Sequence, residues 1–245
     1  MRGGLVLLTA VLVAAPGSAH AGRTFYGWLY GTEVMPERGA ELQSWITEEN
    51  FDNLKQDSWQ FSAQIGITDQ LELGLPLEID WFRDTTTMPP TAGTVFSRFG
   101  ADLRYRFVTQ DPVDAPAIVP LLRVGVKRLI TQRDGFQPEA DLVVSYESGI
   151  VQAEVDLGFL AQVGIQGDDY YAFRPGAGVS VLAIDDLRFG AEFFAEINNA
   201  DDSWYIAGPN MAWTHGRFWM SAAFGVGLDQ DRIKTAPRVQ WGIAF

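Results

Sequence analysis

Apolar and polar residues alternate over long stretches of this sequence, and a period of two is typical of β-strands rather than helices. Between positions 71 and 81 every odd residue is apolar, from Leu71 to Trp81, whereas the even residues include Glu72, Glu78 and Asp80. The pattern recurs at 151–163, 187–198 and 238–245. Successive side chains of a strand point to opposite faces, so each run has one apolar and one polar face. The fold class is therefore predicted to be all-β.

Turn-forming residues divide the chain after residue 39 into about 12 predicted strands. They cover residues 40–49, 57–67, 71–82, 94–108, 117–130, 139–147, 151–164, 170–182, 187–198, 203–214, 217–228 and 236–245. Most are near or above the roughly 9–11 residues that a tilted strand needs to cross a bilayer. A transmembrane barrel has its apolar face outside, whereas a soluble secreted β-protein has it inside, and both alternate.

Three features favour a transmembrane antiparallel up-and-down β-barrel in the bacterial outer membrane. Short connections at 68–70, 148–150, 184–186 and 215–216 alternate with longer ones at 83–93, 131–138 and 229–235, although 109–116 breaks this rule. Aromatic residues of the apolar faces lie near strand ends, as interfacial girdles do. They are Trp59, Trp81, Tyr171, Phe173 and Tyr205 at one end and Tyr105, Tyr146, Trp213, Phe218 and Phe245 at the other. Mid-strand charges on the polar face suit a water-containing lumen.

The N-terminal part is predicted to contain two segments before the barrel. Residues 1–21 have a basic start, an apolar stretch and an A-x-A-like site at Ala19-His20-Ala21, which together predict a signal peptide for secretion. An even strand count with both barrel ends in the periplasm leaves residues 25–33 outside the wall. Residues 22–39 are therefore expected to form a periplasmic or lumen-inserted lead, and residues 40–245 the barrel.

Composition excludes several classes of function. The chain has 31 acidic and 18 basic residues and no cysteine, which argues against nucleic-acid binding and excludes disulfides, thiolate metal sites and a cysteine nucleophile. One of the two histidines, His20, lies in the signal peptide, and the other, His215, lies in a tight turn. No G-x-S-x-G motif is present. We expect neither an enzyme nor a protein that requires a cofactor.

Charged residues of both signs on the polar strand faces are the candidate lumen lining. They are Glu78, Asp80, Arg98, Asp102, Arg104, Arg106, Arg123, Lys127, Glu154, Asp156, Arg188, Glu192 and Glu196. The acids among them are compatible with a lining that favours cations and equally with a structural ion-pair network. The aromatic residues Phe82, Phe96, Phe194 and Trp219 project to the same face, where they line a solute path or fill space.

Acidic residues also cluster in the connections predicted to be extracellular. They are Asp168, Asp169, Asp201, Asp202, Asp229 and Asp231. Carboxylates are suitable ligands for Ca²⁺ or Mg²⁺, but no connection has the spacing of an EF-hand. Solvated loop acids are therefore the preferred interpretation of these clusters, with metal binding as the alternative.

Three segments resemble known outer-membrane proteins. The final residues 241–245, which end on Phe245, resemble the signal that the barrel-assembly machinery recognises. The spaced residues Tyr30, Glu33, Pro36, Gly39, Glu41 and Trp45, together with the run 66–73, resemble uncharacterised proteobacterial barrels of the MetA-pathway phenol-degradation and transporter-like family. This resemblance implies an outer-membrane barrel that passes small or aromatic compounds.

Two functions remain compatible with these observations. The first is a narrow, porin-like channel or transporter for small solutes, including aromatic ones, surrounded by outer-membrane lipid. A barrel of about 12 strands lies between filled eight-stranded barrels and open 16-stranded channels. The second is a non-conducting structural or surface-interaction barrel whose acidic outer loops bind divalent cations or lipid head groups.

Overall fold

Twelve antiparallel strands form one closed barrel in this computed structural model, which describes residues 24–52, 54–86, 89, 91–109, 116–164, 169–229 and 232–245. The strands are β1 (Ala40–Phe51), β2 (Leu54–Gly66), β3 (Leu71–Asp84), β4 (Thr91–Arg106), β5 (Ile118–Leu129), β6 (Phe136–Ser148), β7 (Val151–Gln162), β8 (Tyr170–Ile184), β9 (Leu187–Asn198), β10 (Trp204–His215), β11 (Phe218–Gly227) and β12 (Ile233–Ala244). Neighbours in sequence pair throughout, and β1 pairs with β12 to close the barrel. The predicted up-and-down barrel is confirmed.

The predicted strands all occur, and their bounds differ mainly at the longer connections. β2 begins at Leu54 rather than 57, β6 at Phe136 rather than 139, and β12 at Ile233 rather than 236. We call the end with the short turns 67–70, 149–150, 185–186 and 216–217 the turn end, and the opposite end the loop end. No helix in the described part of the chain is long and apolar enough to cross a membrane. The predicted signal peptide lies outside the described residues.

Burial is inverted relative to a soluble protein. On β3, Leu75 and Leu77 are 43% and 38% exposed, whereas Glu72 is fully buried and Glu78 nearly so. The same holds around the barrel, where the exposed large side chains are apolar and the buried polar ones face the lumen. Such an exposed apolar band suits contact with lipid.

Aromatic rings gather on the outer surface at both ends of the barrel. Trp59 stacks on Trp81 at the loop end, with ring centroids 6.3 Å apart. At the turn end, Trp213 packs on Phe218 with centroids 5.8 Å apart. Rings of this kind prefer the boundary between lipid and water, so their positions agree with the girdles expected from the sequence.

A β-bulge in β4 reverses the alternation of inward-facing and outward-facing residues on the loop-end side of the bulge. Glu78 pairs with Arg98 but the next residue, Ile79, pairs with Phe96, so Ser97 is the extra residue. The hydroxyl of Ser97 donates to the backbone carbonyl of Glu78 (3.2 Å). The expectation that Phe96 faces the lumen is therefore wrong, because the bulge turns this ring outward, where it is 43% exposed.

The other three aromatic residues predicted on the polar face behave differently from one another. Phe194 and Trp219 are buried inside the barrel. Phe82 lies at the loop end of β3, where it is 37% exposed and opposite Gly93. The rings of Phe194 and Trp219 therefore help to fill the lumen, which was one of the two roles expected from the sequence.

Residues 24–35 of the predicted lead, 22–39, lie inside the barrel, and the name lead is used below for these residues alone. Tyr26 is fully buried and donates its hydroxyl to the carbonyl of Gln152 on β7 (3.1 Å), and the indole of Trp28 donates to the carbonyl of Ala236 on β12 (3.1 Å). Such distant strands are reached together only from the lumen. The segment that joins the lead to β1 is hydrogen-bonded to the end of β2, since the backbone N–H of Arg38 donates to the carbonyl of Gly66 (3.1 Å). The lead therefore enters from the turn end.

Candidate functional site

A cavity of about 850 Å³ occupies the loop-end half of the lumen, and we call it the vestibule. Its floor is formed by Trp28 and Tyr30 of the lead. Its wall residues come from most of the strands; those used below are Trp45, Glu49, Glu78, Arg98, Lys127, Glu139, Asp141, Asp156, Arg174, Phe194, Glu196, Trp204 and Arg238. The volume lies within the range of small-molecule sites.

Aromatic rings form one side of the vestibule at its floor. Trp28, Phe194 and Trp204 pack together, with centroid distances of 5.3 Å, 5.8 Å and 5.6 Å. The guanidinium of Arg238 lies 5.1 Å from the ring centroid of Trp28 and 5.8 Å from that of Trp45. These cation–π contacts orient Arg238 beside the floor.

A second side of the vestibule carries an ion-pair network. Arg123 on β5 lies 2.7 Å from Asp141, 2.9 Å from Glu139 and 3.5 Å from Asp102, and its guanidinium lies 4.4 Å from the ring centroid of Tyr30. These carboxylates come from β4 and β6, so one side chain connects three strands.

Further basic residues complete this network. Lys127 lies 3.0 Å from Glu139, and Arg174 lies 3.7 Å from Asp141. Nearer the loop end, Arg98 contacts Glu78 at 3.0 Å and Asp80 at 3.6 Å. Charges on this side of the lumen therefore neutralise one another.

At and below the vestibule floor, charged wall residues bind the backbone of the lead. Glu192 accepts the N–H groups of Gly27 (3.0 Å) and Trp28 (3.1 Å), and Asp156 accepts that of Tyr30 (3.1 Å). Arg104 donates to the carbonyl of Gly31. The lead is thus held by peptide-group contacts as well as by the packing of its side chains.

Salt bridges and ring contacts add to this anchoring. Arg106 pairs with Glu33 of the lead at 2.7 Å, and Arg104 lies 3.6 Å from Glu72 on β3. The guanidinium of Arg188 lies 4.5 Å from the ring centroid of Phe25. Within the described residues, both carboxylate oxygens of the buried Glu154 lack a hydrogen-bond partner.

The structure divides the thirteen candidate lumen residues into two groups. Ten are buried, and Asp80, Arg98 and Glu196 are half-buried. Five of the thirteen line the vestibule: Glu78, Arg98, Lys127, Asp156 and Glu196. The others are Asp80, Asp102, Arg104, Arg106, Arg123, Glu154, Arg188 and Glu192, which lie behind the vestibule or in the half of the lumen that contains the lead.

Sequence reasoning missed several vestibule residues, although the alternation held the signal for most of them. Arg238 is on the polar face of the last strand, and Trp204 precedes the outward-facing Tyr205. Glu49 follows from the alternation that begins at Glu41. The position of Trp28 could not be obtained in this way, because the lead lies outside the predicted strands and its sequence does not show which wall residues it contacts.

The acidic loop clusters are only partly within the described residues. Asp168 and Asp231 lie outside the described residues. Asp169 accepts the hydroxyl of Tyr171 (3.3 Å), Asp202 lines the vestibule, and the carbonyls of Asp201 and Asp229 accept donors from Arg232. Within the described ranges no group of three or more His, Asp or Glu residues is arranged to hold a metal ion.

The one histidine after the predicted signal peptide, His215, lies in an exposed turn at the turn end. Its side chain is 71% exposed, and its Nδ1 lies 2.9 Å from Asp186. The ring stacks on Trp213, with centroids 5.8 Å apart. These contacts belong to the outer surface of the barrel and lie away from the vestibule.

Comparison with solved structures shows which proteins share this architecture. The crystal structure of the COG4313 outer membrane channel from Pseudomonas putida F1 matches with a TM-score of 0.61 and 9% identity, over 87% of this chain and 98% of that one. The KdgM porin in complex with disordered oligogalacturonate matches with a TM-score of 0.53 and 8% identity, over 83% and 99%. The NanC porin has a TM-score of 0.53 and 7% identity, over 82% and 98%. The fold is that of an outer-membrane β-barrel. No family model and no curated protein matches the sequence.

Proposed function

We propose that the protein is a narrow outer-membrane channel for small solutes, with the vestibule as its entrance and the lead as the element that closes it. The observation that carries this proposal is the vestibule itself, a cavity of about 850 Å³ inside a closed barrel. Its floor is the lead, a segment held by noncovalent contacts. Passage therefore requires movement of one short segment and no opening of the barrel wall.

The known proteins of this fold support the proposal. Structures described as a COG4313 channel and as KdgM and NanC porins share the architecture. We include in the proposal that the chain belongs to the MetA-pathway phenol-degradation and transporter-like family, whose spaced motif runs from Tyr30 in the lead to Trp45 in β1. Aromatic solutes are then one candidate cargo, since the vestibule floor contains Trp28, Phe194 and Trp204.

Localisation and partners form part of the same proposal. The predicted signal peptide directs the chain to the periplasm, and the segment 241–245 is the contact for the barrel-assembly machinery. Outer-membrane lipid surrounds the exposed apolar face. The proposal assigns no catalytic step to the protein, and His215, outside the lumen, takes no part in transport.

The part of the barrel wall beneath the lead favours a closure that can be displaced. Wall positions beneath the lead are small: a Cβ at Gly178 would come within 2.5 Å of Tyr26 Cδ1 and 3.1 Å of Leu29 Cδ1. Both carboxylate oxygens of Glu154 are buried beside this wall position without a hydrogen-bond partner in the described structure. Because a buried polar group without a hydrogen-bond partner is unfavourable, withdrawal of the lead would let water solvate Glu154. The solvation of Glu154 partly offsets the packing and hydrogen bonding that the lead gives up on leaving.

Enlarging Gly178, the wall residue beneath the lead, tests the channel proposal. Gly178→Val should displace Tyr26 and Leu29, because valine is a good strand residue and its side chain needs the space that they occupy. In planar bilayers and liposomes, we expect Gly178→Val to raise conductance and solute flux about tenfold or more above the unmodified protein, since a packing loss of a few kcal/mol changes the open population by at least that factor. Ala177→Val, on the exposed face of β8, is the matched control and should leave both unchanged.

Each outcome bears on one of the two candidate functions. If the unmodified protein and Gly178→Val both fail to conduct and to pass solutes, while both migrate as folded barrels on gels, the channel is rejected. The non-conducting structural barrel would then be favoured. If Ala177→Val raises flux as much as Gly178→Val, the lead does not control passage.

A further inference from the structure

The vestibule floor holds opposite charges that do not pair with each other. Arg238 has no ion-pair partner among the described residues, and its Nε has no hydrogen-bond partner. Glu49 on the neighbouring strand β1 and Glu196 on β9 also lack an ion pair with any residue that the structure describes, although Tyr170 donates its hydroxyl to Glu196 (2.5 Å). All three charged side chains line the vestibule.

These groups lie on three strands of the vestibule wall. Thr47 of β1 pairs with Arg238 of β12, so Glu49, two residues further along β1, lies on the same face beside Arg238 without forming an ion pair with it. Arg238 is held beside the floor by the rings of Trp28 and Trp45. The guanidinium and the two carboxylates therefore line one cavity without pairing with one another.

We infer that the vestibule floor binds a small zwitterion, a solute of amino-acid size with a carboxylate, an ammonium group and an aromatic or apolar body. This inference rests on the proposed function, because it treats the vestibule as the place where a solute enters. The carboxylate of the solute would accept hydrogen bonds from Arg238, and its ammonium group would donate to Glu49 and Glu196. Its apolar body would contact the rings of Phe194 and Trp204.

The arrangement of charges selects against simpler ions. A solute with only a carboxylate gains Arg238 but is repelled by Glu49 and Glu196. A solute with only an ammonium group gains those carboxylates but is repelled by Arg238. A zwitterion satisfies both signs at once, so it should bind more tightly than either analogue of the same shape.

Three small molecules that share a phenylethyl body provide the test. L-phenylalanine carries both charges, phenethylamine lacks the carboxylate, and 3-phenylpropionate lacks the ammonium group. We expect calorimetric titration of the purified full chain in detergent to show L-phenylalanine binding about tenfold more tightly than each analogue, as one charge-assisted hydrogen bond allows.

Variants assign each charged group of the solute to its partner. Arg238→Gln should lower the affinity for L-phenylalanine to about that for phenethylamine, while leaving phenethylamine binding equal or tighter. The double variant Glu49→Gln with Glu196→Gln should lower it to about that for 3-phenylpropionate. Arg217→Gln is the control, since Arg217 lies in an exposed turn at the turn end, away from the vestibule. It should change none of the three affinities.

Equal binding of the three molecules, absence of binding, or an equal loss for all three in each variant would overturn the inference. Heat-modifiable migration on gels identifies a variant that has not folded, and phenethylamine binding to Arg238→Gln is an internal check of its cavity. Calorimetry does not depend on conduction. Selective binding by a barrel that never conducts would therefore reject the channel while leaving the zwitterion site in place.

Discussion

Glu192 shows how a single wall residue fixes the closed state of the lumen. It accepts backbone N–H groups from two consecutive residues of the lead, Gly27 and Trp28. Residue 27 must be small, because a Cβ there would overlap Ala223 and lie 3.1 Å from Glu192 Oε1. The lead can approach the carboxylate this closely only as bare peptide backbone. Glu192 is therefore expected to set the strength of closure.

Removal of this acceptor should loosen the lead. In Glu192→Ala, the buried N–H groups of Gly27 and Trp28 lose their acceptor, which costs about 1–3 kcal/mol for each unsatisfied group. The chain has no cysteine, so the thiol of Thr32→Cys can be labelled without background. Since Thr32 is buried against Ser145, we expect its thiol to react about tenfold faster or more in Glu192→Ala.

A matched carboxylate provides the control for this measurement. Glu48→Ala removes an acid whose carboxylate pairs with Lys55 (2.7 Å). This ion pair lies away from the lead. Labelling at position 32 should not change there. Equal acceleration in both backgrounds would show that the labelling rate reports general loosening of the barrel and not release of the lead.

The residue-scale features were only partly predictable. Alternation was enough to place Glu192 on the polar face of its strand. It could not show that Glu192 binds the lead, because the partner lies 165 positions away and the lead lies outside the predicted strands. Likewise, the sequence showed Arg238 on an inward face but not the rings of Trp28 and Trp45 beside it.

At the scale of elements, neighbouring strands are joined inside the lumen by buried charges as well as by backbone ladders. Arg123 of β5 contacts Asp102 of β4 and both Glu139 and Asp141 of β6. All four side chains are buried. A buried carboxylate that loses its counter-charge is strongly unfavourable, so the network makes the three strands depend on one guanidinium.

Replacement of Arg123 by an apolar residue of similar length should therefore destabilise the barrel. We expect Arg123→Met to lower the free energy of unfolding by about 3–5 kcal/mol, because three buried acids lose their common partner. The measurement is the temperature at which the folded, faster-migrating band on a gel converts to the unfolded one. Arg217→Met, in an exposed turn, should convert at the same temperature as the unmodified protein. An unchanged conversion temperature in Arg123→Met would contradict the dependence of the three strands on this side chain.

The bulge in β4 marks the limit of prediction at this scale. Strand number, order and the face of each residue follow from a period of two together with turn residues. The extra residue Ser97 leaves no such signal, since serine occurs freely on either face of a strand. Residues on its loop-end side are consequently shifted by one, which is why Phe96 faces outward.

At the scale of the whole molecule, the barrel was predictable but the division of its lumen was not. Twelve alternating strands lead to a closed barrel with a polar interior. The turn-end half is filled and the loop-end half is open only because the lead docks against distant wall residues such as Gln152, Glu192 and Ala236. The resulting vestibule is acidic. Its lining includes nine acids (Glu49, Asp52, Glu78, Asp84, Glu139, Asp141, Asp156, Glu196 and Asp202) and five basic residues (Arg98, Lys127, Arg174, Arg232 and Arg238).

This surplus predicts a preference for cations over anions. Acidic linings raise the local concentration of cations, so the reversal potential across a KCl gradient should have the sign of a K⁺-selective pore. The preference should shrink from 0.1 M to 1 M salt, because the screening length falls from about 10 Å to about 3 Å. Gly178→Val supplies a conducting background, and adding Glu49→Gln with Glu196→Gln should reduce the selectivity, whereas adding Glu48→Gln should not. A Cl⁻-selective reversal potential would show that the five basic residues, and not the acids, determine the ion selectivity of the vestibule.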